Sequence, residues 1–184
     1  MTFAHLLRPL MALAMLACAV PAAAATYTDA KRGFAIDYPD GWKVDPNYLD
    51  KGYAYFQGER EDVHEGVAFT PAADLAPGTT LQSDQLVLLV QRARPADTCN
   101  ARAFLMDAPP DYFTQTVVDR PEAVQTTAQA GDLYTIEHVV VMVAKSPCLA
   151  VHYIIVSGKS GKPFDHAALM TGLNKIAGTI RPVK

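Results

Sequence analysis

The stretch Phe34-Ala35-Ile36-Asp37-Tyr38-Pro39-Asp40-Gly41-Trp42 decides how this chain is read. Phe34, Ile36 and Tyr38 alternate with Ala35 and Asp37, the two-residue period of a strand with one apolar face. Pro39-Asp40-Gly41 is turn chemistry: proline presets φ, and glycine accepts conformations that other residues resist. Trp42 and Val44 begin a second strand, so the spacing predicts a β-hairpin.

Toward the C-terminus, Asp45-Pro46 places an N-cap residue before a proline suited to the first helical position, and Gly52 can end one short helical turn. Tyr53 to Gln57 and Gly66 to Thr70 read as two further strands, separated by the charged stretch Glu59 to Glu65. Pro71 to Gln82 reads as a loop. Gln85 to Arg92 has strand-like composition, although its leucines leave a helix open. Asp97 or Thr98 can cap a short helix through Cys99 to Met106, which Pro109-Pro110 ends.

Val124 to Gln129, Leu133 to Val143 and Leu149 to Val156 read as three strands. In Leu133 to Val143 both parities are apolar, with Tyr134, Ile136, Val140 and Met142 on one face and Leu133, Val139, Val141 and Val143 on the other. Such strands need cover on both sides of the sheet. Lys145-Ser146-Pro147 joins the last two as an antiparallel hairpin. A helix from Pro163 to Gly178 follows, and Leu169, Leu173, Ile176 and Ile180 form its apolar stripe. That helix is the natural cover for one face, and the expected class is α+β with a mostly antiparallel sheet.

In the other direction the chain opens as a secretory leader. Arg8 precedes the 11-residue apolar run Leu10 to Val20, and Pro21 with Ala22 to Ala25 supplies the small residues of a cleavage site. The run is shorter than the roughly 20 residues of a membrane span. Removing residues 1-25 from 184 leaves 159, the size of one domain spanning 26-184. Arg8 leaves with the leader, so 15 basic residues face 19 acidic ones and the net charge is −4. That balance argues against nucleic-acid or anionic-membrane binding, which draw on a basic excess. Leu16-Ala17-Cys18 is similar to a lipobox but has Met15 and Leu16 where that motif prefers Leu and a small residue, so a soluble periplasmic protein is expected over a lipoprotein anchored through Cys18.

Cleavage also removes Cys18 and leaves Cys99 and Cys148. A lone cysteine pair in an exported chain reads as one disulfide, which stabilises by about 4 kcal/mol on the chain-entropy account. The competing reading makes Cys99 a nucleophile with His138 or His152 as base. Gly158-Lys159-Ser160 fits neither a phosphate-binding loop, which needs Gly where Tyr153 stands, nor a nucleophile elbow, which needs Gly where Lys162 stands. It reads as a polar turn.

Three constellations remain. His138, His152 and Glu137 lie on neighbouring strands and would serve a hydrolase if the register brought them together; the plainer reading is a polar pair where the sheet meets its cover. Glu59, Glu61, Asp62, His64 and Glu65 form the densest acidic cluster, but without metal-ligand spacing, so neither a metal nor a cofactor is expected. Tyr48, Tyr53, Tyr55, Tyr112 and Phe113 form a candidate interaction surface, because tyrosine combines apolar area with a polar tip. The tyrosines around Tyr53 and Tyr55 could instead line a cleft for a small apolar ligand.

The stretch from Phe34 to Trp42 resembles the opening of PsbP-like and DcrB-like domains: aromatic, aliphatic, Tyr-Pro, two residues, then Trp. The long apolar hairpin Leu133 to Val156 followed by an amphipathic C-terminal helix is similar to the same group. The resemblance implies an antiparallel sheet sandwiched by helices, an α/β/α arrangement. It also implies a non-enzymatic role, since members include extrinsic subunits of a photosynthetic complex and exported bacterial proteins that resemble accessory subunits. No functional residue transfers: Pro39 and Trp42 look like turn and packing residues, and the Cys99 and Cys148 pair is not part of the general pattern. The expectation is an exported periplasmic accessory or binding module docking on an envelope protein without catalysis, with an envelope hydrolase or a small apolar-ligand-binding protein as rivals.

Overall fold

Two antiparallel sheets and one α-helix account for most of the regular structure in the computed structural model, which describes residues 24–49, 65–93, 99–104, 116–120, 123–130 and 133–183. The strands are β1 (Ala24–Asp29), β2 (Phe34–Pro39), β3 (Lys43–Leu49), β4 (Glu65–Thr70), β5 (Val87–Arg92), β6 (Thr116–Arg120), β7 (Ala123–Ala130), β8 (Tyr134–Lys145), β9 (Cys148–Gly158) and β10 (Arg181–Pro182). The helix α1 spans His166–Ala177. Short 3-10 turns occupy Ser83–Gln85 and Ala101–Phe104.

The strands predicted on either side of Pro39-Asp40-Gly41 are present, but they do not pair. β2 lies between β1 and β10 in a three-stranded sheet, while β3 is the edge of a seven-stranded sheet ordered β3-β4-β5-β9-β8-β7-β6. The turn explains the correction. Trp42 N–H donates to the Pro39 carbonyl at 3.2 Å, Gly41 takes φ +83°, and no residue other than glycine has positive φ among the described residues. Positive φ at the third position alone is a type II turn, whose twist splays the flanking segments instead of pairing them. The chain therefore crosses from one sheet to the other at this point.

Asp45-Pro46 does not start a helix either. It lies within β3, where the register against β4 shifts between Asp45 and Tyr48. The Asp45 carboxylate accepts from the Asn47 N–H at 3.0 Å, the same local bond that an N-cap would make, here closing a bulge. An edge strand tolerates the missing N–H of Pro46. The 85–92 segment resolves as β5 preceded by a 3-10 turn, and the predicted helix over 99–106 is represented among the described residues by the turn Ala101–Phe104.

β8 and β9 form the predicted hairpin and the centre of the larger sheet. Their register runs from Tyr134 opposite Gly158 to Lys145 opposite Cys148, with one irregularity between Met142 and Ala144. β4 approaches β5 so closely that a Cβ at Gly66 would lie 2.6 Å from the Val90 carbonyl oxygen, and only glycine fits. α1 begins at Asp165, whose carboxylate accepts from the Ala168 N–H at 2.9 Å, and it ends at Gly178.

The main core lies between one face of the seven-stranded sheet and a cover made of α1 and the three-stranded sheet. Val67, Phe69, Leu88, Val90, Leu149, Val151, Tyr153 and Ile155 meet Phe34 and Ile36 from β2 and Leu173 and Ala177 from α1. The aromatic rings join the two sheets: Tyr38 and Tyr27 sit 5.0 and 5.8 Å from Phe69 between ring centres. Each fully buried large side chain contributes about 1.5–3 kcal/mol through loss of apolar surface from water. Leu169, Ile176 and Ile180 pack against this core as the predicted stripe requires.

The opposite face is covered differently. Ala101 and Phe104 pack on Val140 and Ala150, and a second cluster joins Ala68, Val87, Leu89 and Ile154. The Cys99–Cys148 disulfide ties this cover to the start of β9, with Cα atoms 5.8 Å apart. Among the described residues one α-helix covers one face, and no helix is long and apolar enough to cross a membrane.

Two polar ties secure the smaller sheet. Asp37 accepts from the Thr26 hydroxyl at 2.7 Å and from both terminal nitrogens of Arg181 at 3.1 Å, which joins β1, β2 and β10. The Arg181 and Thr26 hydrogen bonds hold the Asp37 carboxyl below the usual carboxylate range. Asp29, at the end of β1, is buried. Its burial alone would raise the carboxyl pKa, but the Arg32 side chain at 2.7 Å and the Arg32 backbone N–H at 2.8 Å outweigh it and bring the pKa below its ordinary value.

Candidate functional site

β8 and β9 carry every histidine and carboxylate that the hydrolase reading needs, and alternation along β8 divides them. His138 and His152 point to the same face of the sheet as Val140 and Ala150. Val140 lies opposite His152 and Ile154 opposite His138, so the two rings are diagonal neighbours. They stack with centres 5.1 Å apart, and His138 Nε2 lies 2.9 Å from His152 Nδ1, a hydrogen bond in which one ring donates and the other accepts. Both rings are buried, and Phe104 meets His152 edge-on at 6.0 Å. This is the polar pair beneath the sheet's cover.

Glu137 is on the other side. Its Oε1 accepts from Gln125 Nε2 on β7 at 2.8 Å, and its Oε2 lies 2.7 Å from His166 Nε2 at the start of α1. The meeting of Glu137 with His152 on which the hydrolase reading depended does not occur: the strand pleat sends adjacent residues to opposite faces. Glu137 has found a histidine, but His166 is exposed and belongs to a link between the sheet and the helix. Cys99 is held in the disulfide and has no free thiolate with which to attack.

The remaining candidates are distributed as follows. Tyr48 packs on the Ala68, Val87, Leu89 and Ile154 cluster, so its ring is part of that face of the sheet. Tyr53, Tyr55, Tyr112 and Phe113 lie outside the described residues, as do Glu59, Glu61, Asp62 and His64; Glu65 starts β4. No group of three or more His, Cys, Asp or Glu that could hold a metal ion occurs among the described residues. Gly158-Lys159-Ser160 is the predicted exit from β9, and its Gly158 N–H bonds the Thr80 carbonyl at 2.8 Å.

A concave site lies elsewhere, where the last turns of α1 pass over β8 and β9. Val141, Val143, Ala177 and Ile180 supply apolar walls to a cleft of about 270 Å³, with Tyr153 and Asn174 as its polar groups. Tyr153 Oη donates to Asn174 Oδ1 at 3.0 Å. Burial pushes the Tyr153 phenol well above its ordinary pKa, so the hydroxyl keeps the hydrogen it donates. The residues that line the cleft include no charged side chain.

Sequence reasoning assigned Val141 and Val143 to the apolar faces of β8 and did not single out Tyr153 or Asn174. One signal was available. Tyr153 is a tyrosine at core parity between Val151 and Ile155, and a buried phenol hydroxyl needs a partner. A polar residue beside Leu173, on a helix packed over that strand, was the place to seek it.

No family model matches the chain, and no curated protein does. Among solved structures the chain is similar to the solution structure of cyanobacterial PsbP (CyanoP) from Synechocystis sp. PCC 6803, at 11% identity and a TM-score of 0.43, covering 88% of this chain and 93% of that one.

Proposed function

We propose that this chain is an exported accessory or binding module of the cell envelope that docks on a partner protein and performs no catalysis. The observation that supports it best is the division of chemistry across β8: His138 and His152 are bonded to each other under Phe104, while Glu137 is engaged with Gln125 and His166 on the opposite face. A general base has to reach a substrate proton within hydrogen-bond distance, and these groups serve the packing of the sheet instead. The open cleft beside α1, lined by no charged side chain, is where such a partner would make contact.

Export also accommodates the first strand. Removal of residues 1–25 takes away the pairs Ala24 with Pro39 and Ala25 with Tyr38, and leaves Thr26 to Asp29 paired with Asp37 to Phe34. The Thr26 hydroxyl bond to Asp37 then anchors the new N-terminus. A disulfide fits an oxidising periplasm.

The test is capture of partners from envelope extracts by two baits, the native mature chain and Val143→Lys, which places a charge in the cleft. A protein retained by the native chain and lost with Val143→Lys supports docking through this face. Equal retention by both baits contradicts it. Esterase or amidase turnover that disappears in His152→Ala with the fold intact establishes the hydrolase instead.

A further inference from the structure

We infer that joining Cys99 to Cys148 is the step that closes the His138–His152 face. The reduced chain folds around its α1-side core with the Ala101–Phe104 turn lifted and the two imidazoles open to solvent, and oxidation shuts the turn over them. The inference rests on the export reading above, because a chain leaves the cytoplasm with its thiols reduced and meets an oxidant afterwards.

The two faces of the larger sheet hold their covers by different means. On the α1 side Phe34, Phe69, Tyr153, Ile155 and Leu173 are all buried in one continuous cluster, and burial on that scale forms a core without a covalent link. On the opposite side the turn rests on Val140 and Ala150 through Ala101 and Phe104, and Phe104 is the one aromatic side chain of that cluster. Beneath it lie the two histidine rings, bonded to each other. Burying imidazoles withdraws polar nitrogens from water, which works against closure.

The disulfide supplies what this packing lacks. Cys99 stands two residues before the turn and is bonded to Cys148, the first residue of β9. The Cys148 carbonyl also accepts from the Ala93 N–H at 3.0 Å. The chain leaving β5 is thus tied to one residue twice, at Ala93 and at Cys99, and the second tie sets the turn down over Val140 and Ala150. Both cysteines are half-buried beside the exposed Lys145 and Ser146, where an oxidant can reach them. The closing step is exchange with a disulfide-bearing oxidant. One cysteine thiolate attacks that disulfide, forms a mixed disulfide and releases one oxidant thiol; the second thiolate displaces the other, so two electrons pass to the oxidant and the two cysteine protons end on its reduced sulfurs.

The experiment is site-resolved carbethoxylation of histidine by diethyl pyrocarbonate, read by mass spectrometry on the mature chain in its oxidised form and after reduction with dithiothreitol. The exposed His166 is the internal reference. Trp42, the single tryptophan, packs against the α1-side core and reports its integrity through fluorescence. In the oxidised chain His138 and His152 should be protected. In the reduced chain they should react at least about tenfold faster relative to His166, with Trp42 emission unchanged. Cys99→Ser combined with Cys148→Ser should behave as the reduced chain, which separates loss of the link from reactions of free thiols. Reoxidation with oxidised glutathione should restore protection.

An acceleration below about tenfold in the reduced chain or in the double variant overturns the inference, because packing then closes the face unaided. Trp42 emission that moves to that of the urea-unfolded chain also overturns it, because the two faces then form together. Failure here with selective partner capture intact removes the latch and keeps the docking reading; a working latch without partner capture removes docking alone.

Discussion

Along β9 the side chains facing α1 are Leu149, Val151, Tyr153 and Ile155, while those facing the other way are Cys148, Ala150, His152 and Ile154. Adjacent residues of one strand thus take part in two different kinds of packing. The α1 side is a continuous aliphatic and aromatic core drawing on both sheets and the helix. The opposite side has smaller residues, and the turn Ala101–Phe104 approaches close over Val140 and Ala150. There the cover is secured by a disulfide and the histidines are paired with each other. Burial of large apolar groups holds one face, and a covalent tie with a polar pair reinforces the other.

The largest effect should come from the α1 side. Phe69 is fully buried and bridges the two sheets through Tyr27 and Tyr38, so Phe69→Ala should cost about 3–5 kcal/mol in urea unfolding. On the other side, replacing Cys99 and Cys148 together with serine releases a link spanning 49 residues and should cost about 2–4 kcal/mol. If the double serine variant costs more than Phe69→Ala, the ranking of the two faces is reversed.

The buried carboxylate of the smaller sheet gives the next effect. Asp29 titrates below its ordinary range in the folded chain, so its bridge to Arg32 stabilises above the unfolded aspartate pKa of about 3.9. The contribution is lost as pH falls through the lowered native value. The stability gap between the native chain and Asp29→Asn should therefore be full near neutrality and close in acid, as read from urea midpoints. A gap that widens in acid would reverse the sign. The smallest effect belongs to the exposed His166: His166→Ala should cost less than about 1 kcal/mol, because polar contacts made by exposed side chains are weak.

These regions differed in how much the sequence revealed. β8, β9 and α1 were legible because two strands apolar on both parities demand cover on both faces, and Leu169, Leu173 and Ile176 mark the helix face that supplies it. The turn at Pro39-Asp40-Gly41 was legible as a turn, but its type was not. Type I′ and type II turns use overlapping residue chemistry, and only φ at Asp40 separates a hairpin from a crossing. Asp45-Pro46 misled for a related reason, since an Asp accepting from a nearby N–H serves a bulge as well as a helix start. β1 hid behind the alanines of the leader and the polar Thr26 and Thr28. β10 is two residues long and exists through its pairing with β2.

The candidate site was legible only in part. The histidine pair could be anticipated from neighbouring strands, and Glu137 could not be placed until the register was known, because a shift of one residue exchanges the faces. The cleft needed the tertiary position of Asn174 over Tyr153, which no local pattern encodes.

The division of β8 between two faces is tested most directly by imidazole NMR at fixed pH on the native chain and Glu137→Gln. Loss of the carboxylate should move the ring resonances of His166 and leave those of His138 and His152 in place. Movement of the His138 and His152 rings with His166 unchanged would join the acid to the buried pair and contradict the account.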